Sequence, residues 1–154
     1  MGEAKHVVER FYGYFAAGDL DKAAGCFDPN ALATDPSVGT MTVEQYRSMG
    51  ADLKTGLPDS RMVVDRMFEV GPNVVVEGRF VGTHTGPLST PLGDKIPATN
   101  NSVDLPFCAV FKCRDGRIVD TRAYYDQVAM MNQLGFINLP QRVGGPPPPE
   151  AYWS

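Results

Sequence analysis

Two residues, Asp115-Gly116, constrain this chain more than any others, because they stand between two runs that read as strands, "SVDLPFCAVFKCR" and "RIVDTRAYYD". The favoured two-residue hairpin turn needs positive φ at both positions, and Asp-Gly tolerates that well. Such a turn also fixes which residues face each other. Ile118 is expected opposite Cys113, Asp120 opposite Phe111, Arg122 opposite Ala109, Tyr124 opposite Phe107 and Asp126 opposite Leu105. Alternation places all of them on one face. An apolar wall meeting a few polar groups has the composition of a binding pocket. The opposite face carries Pro106, Cys108, Val110, Thr121, Ala123 and Tyr125 and is also fairly apolar. A homodimer is therefore expected, with that second face covered by another subunit or layer.

The rest of the chain places this hairpin in an α+β order. Val7, Val8, Phe11, Tyr14 and Phe15 fall on one helical arc, with Tyr12 at its edge. Gly18 stops that helix and Asp19 can cap a short second one. "TVEQ" is a capping box opening a third helix, which Gly56 and Pro58 end. "DPNALATDPSVGT" is turn-rich, with a short strand expected around residues 31–34. "RMVVDRMFEV" and "NVVVEGRFVGTHT" read as strands joined at Gly71-Pro72-Asn73. "GPLSTPLGDKIPATN" has too much Pro and Gly for a regular element and reads as a long loop. A closing helix follows Asp126, and the stretch with four consecutive prolines favours an extended polyproline segment. The expected architecture is a cone-shaped barrel: a strongly curved, mostly antiparallel sheet wrapped over three N-terminal helices. It would occupy residues 1–140, with 141–154 as a proline-rich C-terminal tail.

Fourteen basic against eighteen acidic residues give a net charge of −4. That balance argues against nucleic-acid or anionic-membrane partners. There is no apolar run long enough for a membrane span, and "MGEAKHVVERFYGYF" lacks the plain apolar run of a signal peptide. Cys26, Cys108 and Cys113 are unclustered and odd in number, which suits free thiols in a reducing compartment, so a cytoplasmic protein is expected. His6 and His84 are isolated and do not form a metal site. No phosphate-binding glycine loop or Ser-His-Asp order is seen.

Asp126 stands at the join of strand and helix. On the pocket face it would lose hydration and suit general acid or base work. Before "QVAMMNQL" it is equally suited to cap the helix. Both readings stand at this point.

"FVGTHTGPL", the Gly/Pro loop, "FKCRDGRIV" and "YYDQVAMMNQLG", in that order, resemble the SnoaL-like polyketide cyclase family. That family lies in the nuclear-transport-factor-2-like superfamily, with ketosteroid isomerases and limonene-epoxide hydrolases. The resemblance implies an α+β cone and a pocket without a cofactor. It also implies an aspartate that serves an intramolecular aldol ring closure. By motif position this aspartate is Asp126, with His84 in or near the same pocket. The sequence departs from the family at Arg122, where an aromatic is usual, and in a loop lacking Pro-Thr-Gly. "NALATDPSVGT" resembles the segment that holds the base of ketosteroid isomerases, which makes Asp35 the alternative base; Asp35-Pro36 is also a common turn starter. The first-helix tyrosine of those isomerases is replaced by Phe11, with Tyr12 and Tyr14 expected to point elsewhere on the wheel.

The expected function is acid/base chemistry of cyclase or isomerase type on a small hydrophobic or polycyclic carbonyl compound. Asp126, His84 and Asp35 are the candidate catalytic residues. Tyr12, Phe107, Phe111, Arg122 and Tyr124 are the candidate substrate contacts. Two alternatives stand beside this: a non-catalytic ligand-binding or dimerisation module, and an epoxide hydrolase-like activity using Asp120, Arg122 and Asp126.

Overall fold

Burial along the first helix explains why these residues fold where they do. The computed structural model describes residues 2–90 and 92–138. Helix α1 (Glu3–Ala16) buries Val7, Val8, Phe11, Tyr12 and Phe15 on one broad stripe. Its first turn is tied to the sheet by Glu69, whose carboxylate accepts from the N–H groups of Gly2 and Lys5, each at 2.8 Å. Helix α2 (Leu20–Ala24) is capped by Asp19, which accepts from the Lys22 N–H. Helix α3 (Val43–Gly56) opens on the reciprocal capping box of Thr42 and Gln45, as the sequence predicts.

The strands are β1 (Phe27–Asp35), β2 (Gly39–Thr42), β3 (Arg61–Val70), β4 (Asn73–Thr83), β5 (Leu88–Ser89), β6 (Lys95–Ile96), β7 (Ser102–Arg114) and β8 (Arg117–Tyr125), followed by α4 (Gln127–Gln133). Six of them form one sheet in the order β2-β1-β8-β7-β4-β3. All neighbours are antiparallel except β1 and β8, which run parallel. The sheet does not close into a barrel: β2 and β3 are its edges.

Several expectations are corrected. Strand β1 starts at Phe27 rather than near residue 31, and β2 pairs with it across the Asp35–Gly39 turn. The Gly/Pro stretch is not wholly irregular, since β5 and β6 pair through Leu88 with Ile96 and Ser89 with Lys95. This small hairpin sits close on the end of α3 because glycines allow it. A Cβ on Gly56 would lie 2.4 Å from the Leu88 side chain, and one on Gly86 would lie 2.1 Å from the Thr55 carbonyl oxygen. The expected tail at 141–154 lies outside the described residues.

The central correction concerns register. Asp115 and Gly116 have φ of 53° and 75°, as the turn requires, and Cys113 pairs with Ile118. The next pair is Lys112 with Asp120, so Val119 is an extra residue and the register slips by one. Beyond it Phe111 pairs with Thr121, Ala109 with Ala123 and Phe107 with Tyr125. A one-residue slip turns every later side chain of β8 to the other face. Thr121, Ala123 and Tyr125 thus join the inner face, and Asp120, Arg122 and Tyr124 turn outward.

Candidate functional site

Between the helices and the inner face of the sheet lies a cavity of about 910 Å³. Its walls are mainly aromatic and aliphatic: Phe11, Tyr12 and Phe15 from α1, Phe107, Ala109 and Phe111 from β7, and Leu105, Phe80 and Met62 around them. The rings pack edge to face. Tyr12 meets Phe107 at 6.2 Å and Phe111 at 5.8 Å, and Phe11 meets Phe27 at 5.0 Å. Among the sequence candidates, Tyr12, Phe107 and Phe111 therefore line this space. The sequence places Tyr12 at the edge of the helical arc, at a different angle from Phe11. The buried stripe on α1 is wide enough to carry both Phe11 and Tyr12 inward.

Asp35 also lines the cavity and is only 6% exposed. Alternation along β1 turns Ala31, Ala33 and Asp35 to the same inner face. Its Oδ1 accepts three hydrogen bonds: from the Ser37 N–H at 2.8 Å, the Ser37 hydroxyl at 2.5 Å and the Tyr125 hydroxyl at 2.7 Å. None of these engages Oδ2. The turn-starter reading of Asp35 and the cavity reading thus hold together, because the turn donors use the same oxygen as Tyr125.

Tyr46, from α3, completes the polar end of the cavity. Burial, and then the negative charge of Asp35, push both the Tyr125 and Tyr46 phenols far above their ordinary value. Both stay protonated and able to donate. Burial, and then Tyr46, raise the Tyr12 phenol as well. Tyr46 carried a signal only as a core position of α3. Tyr125 was assigned to the wrong face by the simple register, so neither was singled out from sequence.

The remaining candidates lie elsewhere. Asp126 is exposed, caps α4 by accepting from the Ala129 N–H at 3.0 Å, and is not among the residues lining the cavity. Arg122 is exposed and donates to Asp120 at 3.2 Å on the outer face, where Tyr124 is 55% exposed. The set Asp120, Arg122 and Asp126 is thus not gathered in the cavity. His84 is fully buried but does not line it. Its Nδ1 accepts from the Thr99 N–H and lies 3.0 Å from the Thr99 hydroxyl oxygen, while its backbone pairs with Asn100 and Asn101. It fastens the end of β4 to the segment leading into β7, and burial lowers its pKa.

Two other charged groups reach the cavity wall. Arg47 is held by Asp21 at 2.6 and 3.0 Å, and Asp52 accepts from the Ser89 N–H at 3.2 Å. Among the described residues, no group of three His, Cys, Asp or Glu side chains could hold a metal ion. No helix among them is long and apolar enough to cross a membrane.

Comparison with known proteins bears on this arrangement. Among solved structures, a protein from Jannaschia sp. CCS1 described as a SnoaL-like polyketide cyclase is 26% identical, with 90% of this chain and 94% of that one covered and a TM-score of 0.75. IdmH of Streptomyces antibioticus, described as a polyketide cyclase, is 22% identical over 86% and 98% of the two chains, with a TM-score of 0.72. A protein of M. tuberculosis described as an LEH-like epoxide hydrolase is 18% identical over 87% and 90%, with a TM-score of 0.66, and shares the fold. No curated protein matches the chain in sequence. The model of the SnoaL-like polyketide cyclase family matches residues 5–134, and the chain belongs to that family.

Proposed function

We propose that the chain carries out acid/base chemistry of cyclase or isomerase type on a small hydrophobic carbonyl compound, with Asp35 as the group that moves the proton. One observation carries this reading. A buried carboxylate stands in a large apolar cavity with one oxygen anchored by Tyr125 and Ser37 and the other outside those bonds. Anchoring Oδ1 orients Oδ2, which would take a proton from the carbon next to the substrate carbonyl. The developing enolate oxygen then needs donors in a dry site, where they act most strongly. Tyr46 is a protonated phenol at the same end of the cavity. The enolate either regains the proton from Asp35 at another carbon, or attacks a second carbonyl and closes a ring, the opened C=O bond leaving an alkoxide that takes the proton back from Asp35. No step needs more than protein side chains. A volume of about 910 Å³ suits a body of several rings.

The reading is tested without knowledge of the natural substrate by following exchange of the hydrogens next to the carbonyl of 2-tetralone in deuterium oxide by NMR. Asp35→Asn is expected to slow protein-dependent exchange by about 100-fold or more while 2-tetralone still binds. Asp126→Asn is expected to leave the rate unchanged. Exchange that persists in Asp35→Asn would defeat the assignment. Binding without exchange in the wild type would favour a ligand-binding module instead.

We also propose that two copies pair through the outer face of the sheet. The support is its apolar content, with Phe68 49% and Tyr124 55% exposed there.

A further inference from the structure

Among the described residues, Tyr12 is the one residue that lines both the cavity and a second, smaller cleft. That cleft holds about 360 Å³ between α1 and β3. From α1 it is lined by Lys5, Glu9 and Tyr12, which share a helix face at spacings of four and three. From β3 it is lined by Val64 to Met67, the residues at the register shift between Val64 and Arg66. A bulge bends the strand there and opens room beneath the helix. Met62, two residues earlier on the same strand, lines the large cavity. Strand β3 therefore passes from one space into the other beside Tyr12.

Opposite Val64 on β4 stands Gly78, which presents no side chain; a Cβ there would lie 2.3 Å from the Val63 carbonyl oxygen and 3.2 Å from the Phe107 ring. The Tyr12 ring is buried and meets Phe107 edge-on at 6.2 Å. We infer that Tyr12 is a specificity-determining residue whose ring ends the cavity and sets the greatest length of ligand it accepts. The inference rests on the reading of the cavity as a ligand site. Beyond the ring the cleft offers both signs of charge, Lys5 and Arg66 with Glu9 and Asp65. A ligand allowed past Tyr12 would be one with an apolar body and a flexible uncharged tail.

The test measures affinities of 4-n-alkylphenols of increasing chain length by calorimetry. Each methylene buried in the cavity tightens binding by about fourfold until the wall is reached. In the wild type that gain should stop at a definite length, and Tyr12→Phe should stop at the same one. Tyr12→Ala, or Tyr12→Leu if the alanine variant does not fold by circular dichroism, should keep gaining past that length. Adding Val64→Trp fills the cleft from its exposed side and should bring the stop back. An unchanged stopping length in the variants that shorten Tyr12 would overturn the role given to it while leaving the cavity as a ligand site. A wild-type protein that bound no member of the series would overturn the ligand-site reading, and this inference with it.

Discussion

One carboxylate meets two demands at the end of β1. Asp35 accepts both Ser37 donors of the turn and the Tyr125 hydroxyl through a single oxygen, so local folding and site geometry do not compete. His84 shows the opposite economy: a titratable group with a sequence neighbourhood that suggests chemistry, spent on structure. It is fully exposed to water only when the chain unfolds, and burial holds its folded pKa below the ordinary 6.5. The unfolded chain therefore binds the proton more readily than the folded one. Stability is complete above about pH 6.5 and falls as pH drops from there toward the lowered folded value. Urea unfolding of the wild type and of His84→Asn across pH 5 to 8 checks this. The wild type should lose stability on the acid side of that window, and the variant should lose less. Parallel pH profiles would remove His84 as the cause.

At the scale of elements, what the sequence made legible and what it hid are divided by a single inserted residue. The Asp-Gly turn, the capping box at Thr42, the cap at Asp19 and the alternation of β7 all rest on local chemistry, and all are where that chemistry puts them. The bulge at Val119 rests on nothing local. "RIVDTRAYY" has no Gly or Pro to mark it, and the slip brings Thr121, Ala123 and Tyr125 inward against Phe111, Ala109 and Phe107. A regular register hides Tyr125 and turns Arg122 and Tyr124 to a face they do not occupy. Strand β1 looks shorter in sequence than it is for a related reason: Pro29 and Asn30 resemble breakers, and the pairing of β1 with β8 is irregular between Phe27 and Leu32. For Asp126 the cap is observed, and the residue is not among those lining the cavity. Replacing it with alanine should therefore cost about 1 kcal/mol in denaturant unfolding. Asp126→Asn, which retains a capping oxygen, should cost much less. A loss of exchange activity in Asp126→Ala at full folding would return chemistry to that residue.

At the scale of the molecule, the sheet has two faces with different work. The inner face, covered by helices, encloses the cavity. The outer face carries an unbroken row of partners across four strands, Phe68 with Val75, Val75 with Val110 and Val110 with Arg122. Beside it runs the row Arg66, Glu77, Cys108 and Tyr124. Apolar residues thus occupy the middle of the face, and ion pairs such as Arg66 with Glu77 and Arg122 with Asp120 lie among them. A face of mixed charge pairs around an apolar centre can meet a copy of itself about a two-fold axis, where every residue finds its counterpart's surroundings repeated. A stable pair needs about 800 Å² from each partner, which a broad sheet face can supply and a helix end cannot. Light scattering coupled to size exclusion should accordingly give twice the 16.7 kDa of one chain. Val110→Lys puts a charge at the centre of the row while leaving the inner face untouched, and should shift the mass to that of a single chain with the fold intact. A wild type that runs at 16.7 kDa at all concentrations would remove the pairing, and the apolar outer face would then need a different partner. The cavity lies wholly within one chain, so the proton exchange expected of Asp35 should survive in the monomeric variant. Activity that vanished with the pairing would instead show that a second copy holds the cavity walls in place.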